Sequence, residues 1–285
     1  MKNLFLILFV LISSISIGQN NLDINRKYVS IKSLKNSKNI NLKNAIYLES
    51  DTLVVEKSIP MGEFEVDFGD FDPEFIEHYK DAVFGNKETR RKNFKLSHVK
   101  LWTSDIKVYF DKSVDKKTKK ELSSFFNEIS KNSNSLKISV VSKLELSNYL
   151  IYYINSKKDK EHPNIIQQKP ITYNLLHSNN KFYSGVLRLN TLSFFSFNDQ
   201  INSLKVQFFK SLGQFWLINN VPCESILADC YSPTKRLTDL DFNILNFHYK
   251  NVYDSDVTIF NYERLIEKYS LLKKEHPTQT KFIID

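Results

Sequence analysis

The chain has 285 residues, 41% hydrophobic and 25% charged, a globular composition with room for one large domain or two small ones. Its formal charge is +8, but the lysines are scattered: Lys112, Lys116, Lys117, Lys119 and Lys120 on one segment, Lys157, Lys158 and Lys160 on a loop. That spread describes solvated faces rather than a track for an anionic polymer, and no nucleic-acid motif accompanies it.

The first elements concern export. MKNLFLILFVLISSISIGQ has a basic Lys2, an apolar run from Leu4 to Ile12, and Ser16 and Gly18 at the minus-three and minus-one positions before Gln19. This reads as a secretory signal peptide over residues 1–18, cleaved after Gly18. An uncleaved anchor is the alternative, but the run is short for a span of about 20 residues. The first cysteine is Cys223, which argues against a lipid anchor, and no later stretch is apolar enough to span a bilayer. The mature chain is therefore expected in the periplasm or outside the cell.

Residues 19–95 read as an N-terminal extension. KYVSIKSL, AIYLES and DTLVVEK are short β-prone runs. In GEFEVDFGDFDPEF, Phe64, Val66 and Phe68 alternate with acids, which is strand periodicity. Asp67, Asp70 and Asp72 offer oxygen ligands for calcium, but their spacing lacks the calcium-loop pattern, so an exposed strand and turn is the simpler reading. Asp72-Pro73 starts a helix that runs to Phe84 and ends at Gly85-Asn86. A basic linker, ETRRKNFK, follows.

Residues 96–255 form one α+β block. VKLWTSDIKVYFD gives a strand-pair signal. SVDKKTKKELSSFFNEISKNS is an amphipathic helix with a Leu122, Phe125, Phe126, Ile129 stripe. LKISVVSK and YLIYYIN are strands, the second apolar enough to be central. ITYNLLHS and KFYSGVLRLN are further strands. A helix from about Asp199 to Leu217 comes next, then a loop with both cysteines, then a helix capped by Thr238. Residues 256–285 hold a last helix and a tail. In an oxidising compartment Cys223 and Cys230 form a small loop-closing disulfide; two buried free thiols are the alternative.

The helix of interest is LKVQFFKSLGQFW, Leu204 to Trp216. Strand, helix, strand, strand, a further strand and a long helix is the order of a zincin catalytic domain, and this helix resembles a zinc-protease helix in outline. In H-E-x-x-H-x-x-G-x-x-H two histidines on one helix face bind the metal, the Glu takes a proton from its water, and the Gly lets a third His return. With Gly213 as that Gly, the ligand positions are Val206, Lys210 and Trp216 and the base position is Gln207. A lysine ammonium has no lone pair to give a metal. Gln207 has nearly the shape of Glu but is no base, a loss commonly worth about 10²–10⁴ in rate.

Downstream, Ser225-Ile226-Leu227 stands where matrixin-type zincins have a Ser-Ile/Leu-Met turn, and Leu237 to Tyr249 resembles their L-S-x-x-D-x-x-x-I-x-x-L-Y closing helix. The nearer resemblance is to a bacterial zincin-like family described as a domain of unknown function. Its helix reads E-L-x-Q-x-L-G-L-x-N-D, followed by S-I-F and L-T-x-x-D-x-x-x-L-x-x-L-Y. Trp102 and Ile106 to Tyr109 are similar to its start. The resemblance implies a zincin-like mixed sheet with a long buried central helix and a closing C-terminal helix. It implies a cleft near Gln207 and Lys210 that binds without a cofactor, taking an extended peptide or an envelope protein partner along a sheet edge. The alternatives are a zinc-dependent hydrolase using ligands such as His177 and His248, and a structural component of envelope assembly. A plainer reading is an unrelated α+β core: Ile201, Leu204, Phe208, Leu212 and Phe215 form one stripe and Val206, Phe209, Gly213 and Trp216 another, as in any buried helix.

Overall fold

A computed structural model describes residues 28–33, 40, 42, 45–55, 64–69, 72–88, 98–133, 136–154, 169–250 and 257–284. The segment read as a signal peptide, the lysines at 157, 158 and 160, Asp70 and His162 lie outside these residues. Two compact units emerge. In the smaller, β1 (Tyr28–Ser30), β2 (Ile46–Tyr47) and β3 (Thr52–Val55) form an antiparallel sheet in the order β1-β3-β2. These strands coincide with the β-prone runs of the extension.

The larger unit spans Phe64–Asn86 and His98–Ile284. It contains β4 (Phe64–Val66), α1 (Pro73–Phe84), β5 (Leu101–Trp102), β6 (Ile106–Phe110), α2 (Lys116–Asn132), β7 (Ile138–Val141), β8 (Tyr149–Ile154), β9 (Ile171–Ser178) and β10 (Lys181–Asn190). Four elements follow: α3 (Phe197–Ser211), α4 (Asp239–Lys250), α5 (Ile259–Glu275) and β11 (Phe282–Ile284). Residues 64–86, grouped by sequence with the extension, are therefore part of this unit. The reason is aromatic packing: Phe68 and Tyr79 meet Phe247 at centroid distances of 5.5 and 4.5 Å and Tyr262 at 6.2 and 5.5 Å.

The main sheet runs β7-β6-β8-β10, all parallel, with β9 antiparallel on the outer side of β10. β8 is central, between β6 and β10, as its nearly unbroken apolar run suggests; its buried residues Tyr149, Ile151 and Tyr153 alternate with half-buried Leu150 and Tyr152. β9 and β10 form a hairpin. Its two turn residues, Asn179 and Asn180, both have positive φ, 49° and 61°, the backbone that a two-residue type I′ turn needs and asparagine tolerates. The signal in VKLWTSDIKVYFD marks two strands that do not pair with each other: β5 joins the start of β10, and β6 joins β7 and β8. Local alternation marks strands but not their partners.

α2 and α3 cover one face of this sheet. Phe208 of α3 lies 4.3 Å from Phe126 of α2 and 5.1 Å from Tyr149 of β8, ring centre to ring centre. Asp115 caps α2 by accepting from Thr118 N, and Ser196 caps α3 by accepting from Asp199 N. β4 and β11 pair antiparallel. Among the described residues the fold is a mixed α/β arrangement with five α-helices and a mostly parallel main sheet. No helix among the described residues is long and apolar enough to cross a membrane.

Candidate functional site

The site is built from the C-terminal half of α3, the turn after it and the loop that leads to α4. α3 ends at Ser211, earlier than the sequence pattern suggested. Phe215 N donates to Lys210 O at 2.8 Å, the long bond of a Schellman ending, which satisfies a carbonyl the helix leaves free. The left-handed residue of that ending is Gln214, with φ 57°. Gly213 is required for a different reason. A Cβ there would run into the ring of Phe215 and lie 2.8 Å from His248 Nε2. The glycine that looked like the helix exit is a packing glycine, and its neighbour makes the turn. Gln214 is steadied by Lys100, whose Nζ donates to its Oε1 at 2.6 Å.

Beneath the end of α3 lies a buried polar network. Tyr149 Oη donates to Ser211 Oγ at 2.8 Å, and Ser211 Oγ donates to Phe208 O at 2.6 Å. Trp102 Nε1 donates to Ser211 O at 3.1 Å and Tyr249 Oη to Leu212 O at 2.5 Å. Burial pushes both phenols, Tyr149 and Tyr249, above the usual tyrosine range. They are fixed donors that tie β5, β8 and α4 to the last turn of α3.

The loop after α3 is pinned from three directions. Cys223 and Cys230 form the disulfide. Lys235 Nζ donates to the carbonyls of Ser225, Ala228 and Cys230 at 2.9, 2.9 and 3.0 Å. Asp241, fully buried in the first turn of α4, holds the Ser225-Ile226-Leu227 turn. Its Oδ1 accepts from Ser225 Oγ at 2.8 Å and Leu227 N at 3.0 Å. Its Oδ2 accepts from Ile226 N at 3.2 Å, Thr238 N at 2.9 Å and Thr238 Oγ1 at 2.8 Å. Asp241 thus completes a reciprocal cap with Thr238 while satisfying the buried turn. The Thr-x-x-Asp spacing carries the first role in the sequence; the second depends on distant chain and left no local signal.

The four motif positions stand as follows. Val206, Gln207 and Lys210 are half-buried on α3, and Trp216 is 45% exposed beyond the turn, its N donating to Ala82 O at 2.7 Å. α3 packs against the edge strand β9. Burial pulls the Lys210 ammonium below the usual lysine range; Asp229 of the pinned loop opposes this and Lys169, just before β9, adds to it. Among the described residues the Lys210 ammonium has no hydrogen-bond partner and no carboxylate within ion-pair distance.

Zinc needs lone-pair donors, and the residues at the motif's ligand positions do not fit it. Val206 offers none, Lys210 holds a proton on its nitrogen, and the Trp216 indole only donates. His248 and His177 do not replace them. His248 is fully buried on α4; its Nε2 lies 2.9 Å from Lys100 O, which can only accept, so Nε2 carries the proton. Nδ1 then accepts from Tyr79 Oη at 3.1 Å. Both nitrogens are used. His177 is exposed on β9, its ring edge-on to Phe182, with burial and Lys100 both lowering its pKa. Asp67 and Asp72, weighed for calcium, accept from Gly69 N and Glu74 N at 3.1 and 3.0 Å, a turn and a helix cap. Comparison with models of known protein families and with curated protein sequences found no match.

Proposed function

We propose that the chain is an exported binding module, zincin-like in its element order, which takes an extended peptide or a partner's strand along β9 with an acidic group at Lys210. One observation carries the reading: a half-buried lysine on α3, beside an edge strand, has no carboxylate within ion-pair distance among the described residues, Asp229 acting on it only from further away. β9 pairs only with β10 among the described strands, so its outer edge offers backbone groups to an added strand. Gln207, one residue outside the turn that holds Lys210, supplies an amide with both a donor and an acceptor. The order β6-α2-β7-β8-β9-β10-α3 and the closing α4 support the zincin-like part, and the disulfide supports an oxidising location.

The test uses fluorescein-labelled, unstructured decapeptides of varied sequence, each as a free acid and as a C-terminal amide, in fluorescence anisotropy with the full chain. Free acids should bind about tenfold tighter than their amides, the scale of one hydrogen bond to a charged group. Lys210→Ala should abolish that difference. Equal binding of acid and amide by the native chain, or a Lys210→Ala variant that binds every peptide unchanged, removes the proposal.

A further inference from the structure

The carboxyl ends of β6, β8 and β10 and the first turns of α2 and α3 meet at one end of the sheet. Tyr153 N donates to Ser113 Oγ at 2.9 Å, Tyr153 Oη to Thr118 Oγ1 at 3.0 Å, and Gln200 Nε2 to Tyr153 Oη at 2.8 Å. Thr191 Oγ1 donates to Ile154 O at 3.4 Å. The turn between β10 and α3 stands at this end and is held on both sides. Asn190 Oδ1 accepts from Leu192 N at 3.1 Å, and Ser196 Oγ accepts from Asp199 N at 3.1 Å. Fixed as it is, the turn leaves Leu192 60% exposed and Phe195 fully exposed, while Phe194 and Phe197 beside them are half-buried.

Lysines stand around this tip. Lys112 follows β6, Lys116 and Lys117 open α2, and Lys169 precedes Pro170, whose carbonyl accepts from Asn190 N at 2.8 Å. All four are exposed. Lys117 Nζ lies 3.9 Å from the centre of the Phe197 ring, two residues along from Phe195. Among the described residues none of the four has a carboxylate within ion-pair distance, Lys112 acting on Asp111 only from further away. The acids at this end are turned to their own chain: Asp111 accepts from Ser113 N, Asp115 caps α2, and Asp199 accepts from Ser196 Oγ. Asp115 and Asp199 also sit at the positive ends of helices, which offset their charge. Read from sequence alone, the first three lysines belong to a solvated face; the structure sets two exposed apolar side chains among them.

A single exposed apolar residue is ordinary; two on one fixed turn, with cations around them, match a particular partner. A stable protein interface buries about 800 Å² on each side, more than two side-chain tips supply. A bilayer surface asks for less. Apolar tips enter the boundary between headgroups and acyl chains, while lysine stems lie along apolar surface and their ammonium groups meet lipid phosphates. We infer that the turn over residues 191–196 docks the protein on an anionic lipid bilayer, with Leu192 and Phe195 entering it and Lys112, Lys116, Lys117 and Lys169 against the headgroups. The inference uses neither Lys210 nor the edge of β9, so it stands or falls apart from the peptide proposal.

Vesicle flotation tests it, with vesicles of phosphatidylcholine alone or mixed equally with phosphatidylglycerol. The chain from Gln19 is used, so that the apolar run from Leu4 to Ile12 does not itself enter lipid. It should float with the mixed vesicles, not with phosphatidylcholine alone, and come off as potassium chloride is raised. Lys116→Ala with Lys117→Ala should weaken binding about thirtyfold, tenfold or less for each lysine at an anionic surface. Lys131→Ala with Lys137→Ala, the same charge removed from exposed positions at the other end of α2, should leave it unchanged. Leu192→Ser with Phe195→Ser should melt as the native chain does and no longer float. Phe195→Trp should emit further to the blue with mixed vesicles, which reads the turn itself. The inference is overturned if the native chain does not float with the mixed vesicles or if the Lys131 and Lys137 pair matters as much as Lys116 and Lys117. It is overturned equally if the emission of Phe195→Trp stays unchanged while the chain is bound, since another surface would then face the lipid.

Discussion

Burial holds His248 neutral, its pKa pulled down to about 4 by desolvation against the weaker pull of its bond to Lys100 O. In the unfolded chain the same imidazole titrates near 6.5. Between those values the unfolded state binds a proton that the folded state does not, so stability falls as pH drops from 6.5 to 4 and this contribution is flat below. The window is about 3 kcal/mol deep. His248→Gln should be less stable than the native chain at pH 7, because Tyr79 Oη and Lys100 O lose well-placed partners. That gap should close by up to about 3 kcal/mol towards pH 4. Urea unfolding at a series of pH values measures it, and parallel curves for the two proteins would contradict the assignment. Legibility is lowest at this scale. A histidine on a closing helix near a cleft carries the same letter whether it binds a metal or bridges a tyrosine and a carbonyl. Only the three-dimensional partners, Tyr79 and Lys100, distinguish the two.

Between elements, the join of α3 to α4 depends on one carboxylate that satisfies five donors in a buried turn. Asp241→Asn keeps the shape but turns an NH₂ group towards donors on one side, leaving at least one of them buried and unmet. The expected cost is about 2–4 kcal/mol in urea unfolding, with faster amide hydrogen exchange at Ile226 and Leu227 than at residues of β8. Unchanged exchange at those two amides would mean that the disulfide and Lys235 suffice to hold the turn. What the sequence made legible here is local: Asp72 and Thr238 at helix starts, the apolar run of β8, the stripe of α2, the nearby cysteine pair. Each depends on residues within one or two turns. What it hid is long-range. Gly213 looked like the left-handed exit of α3 because glycine is the usual residue there, but the close approach of Phe215 and His248 claims it and the exit falls to Gln214. β5 and β6 looked like a pair because they are adjacent, yet each finds its partner across the sheet.

At the scale of the whole molecule, the boundary read at residue 95 and the boundary at Phe64 make different demands on the core. Phe68 stacks on Phe247 and lies 4.9 Å from Tyr269; Tyr79 is fully buried, donates to His248 and lies 4.5 Å from Phe247. β4 also gives β11 its partner strand, and Ala82 O receives Trp216 N. A chain beginning at residue 64 keeps all of these. A chain beginning at residue 96 loses two aromatic side chains from a packed cluster, each worth about 3–5 kcal/mol when truncated, together with a strand and a helix. Those losses exceed half of a typical folding free energy. The chain from residue 64 should therefore melt cooperatively with near-ultraviolet dichroism from ordered aromatics, whereas the chain from residue 96 should lack that signal and bind a hydrophobic dye through exposed Phe247, Tyr262 and Tyr269. A cooperative melt from the shorter chain would show that α4 and α5 close the core without α1, and would restore residue 95 as the working boundary.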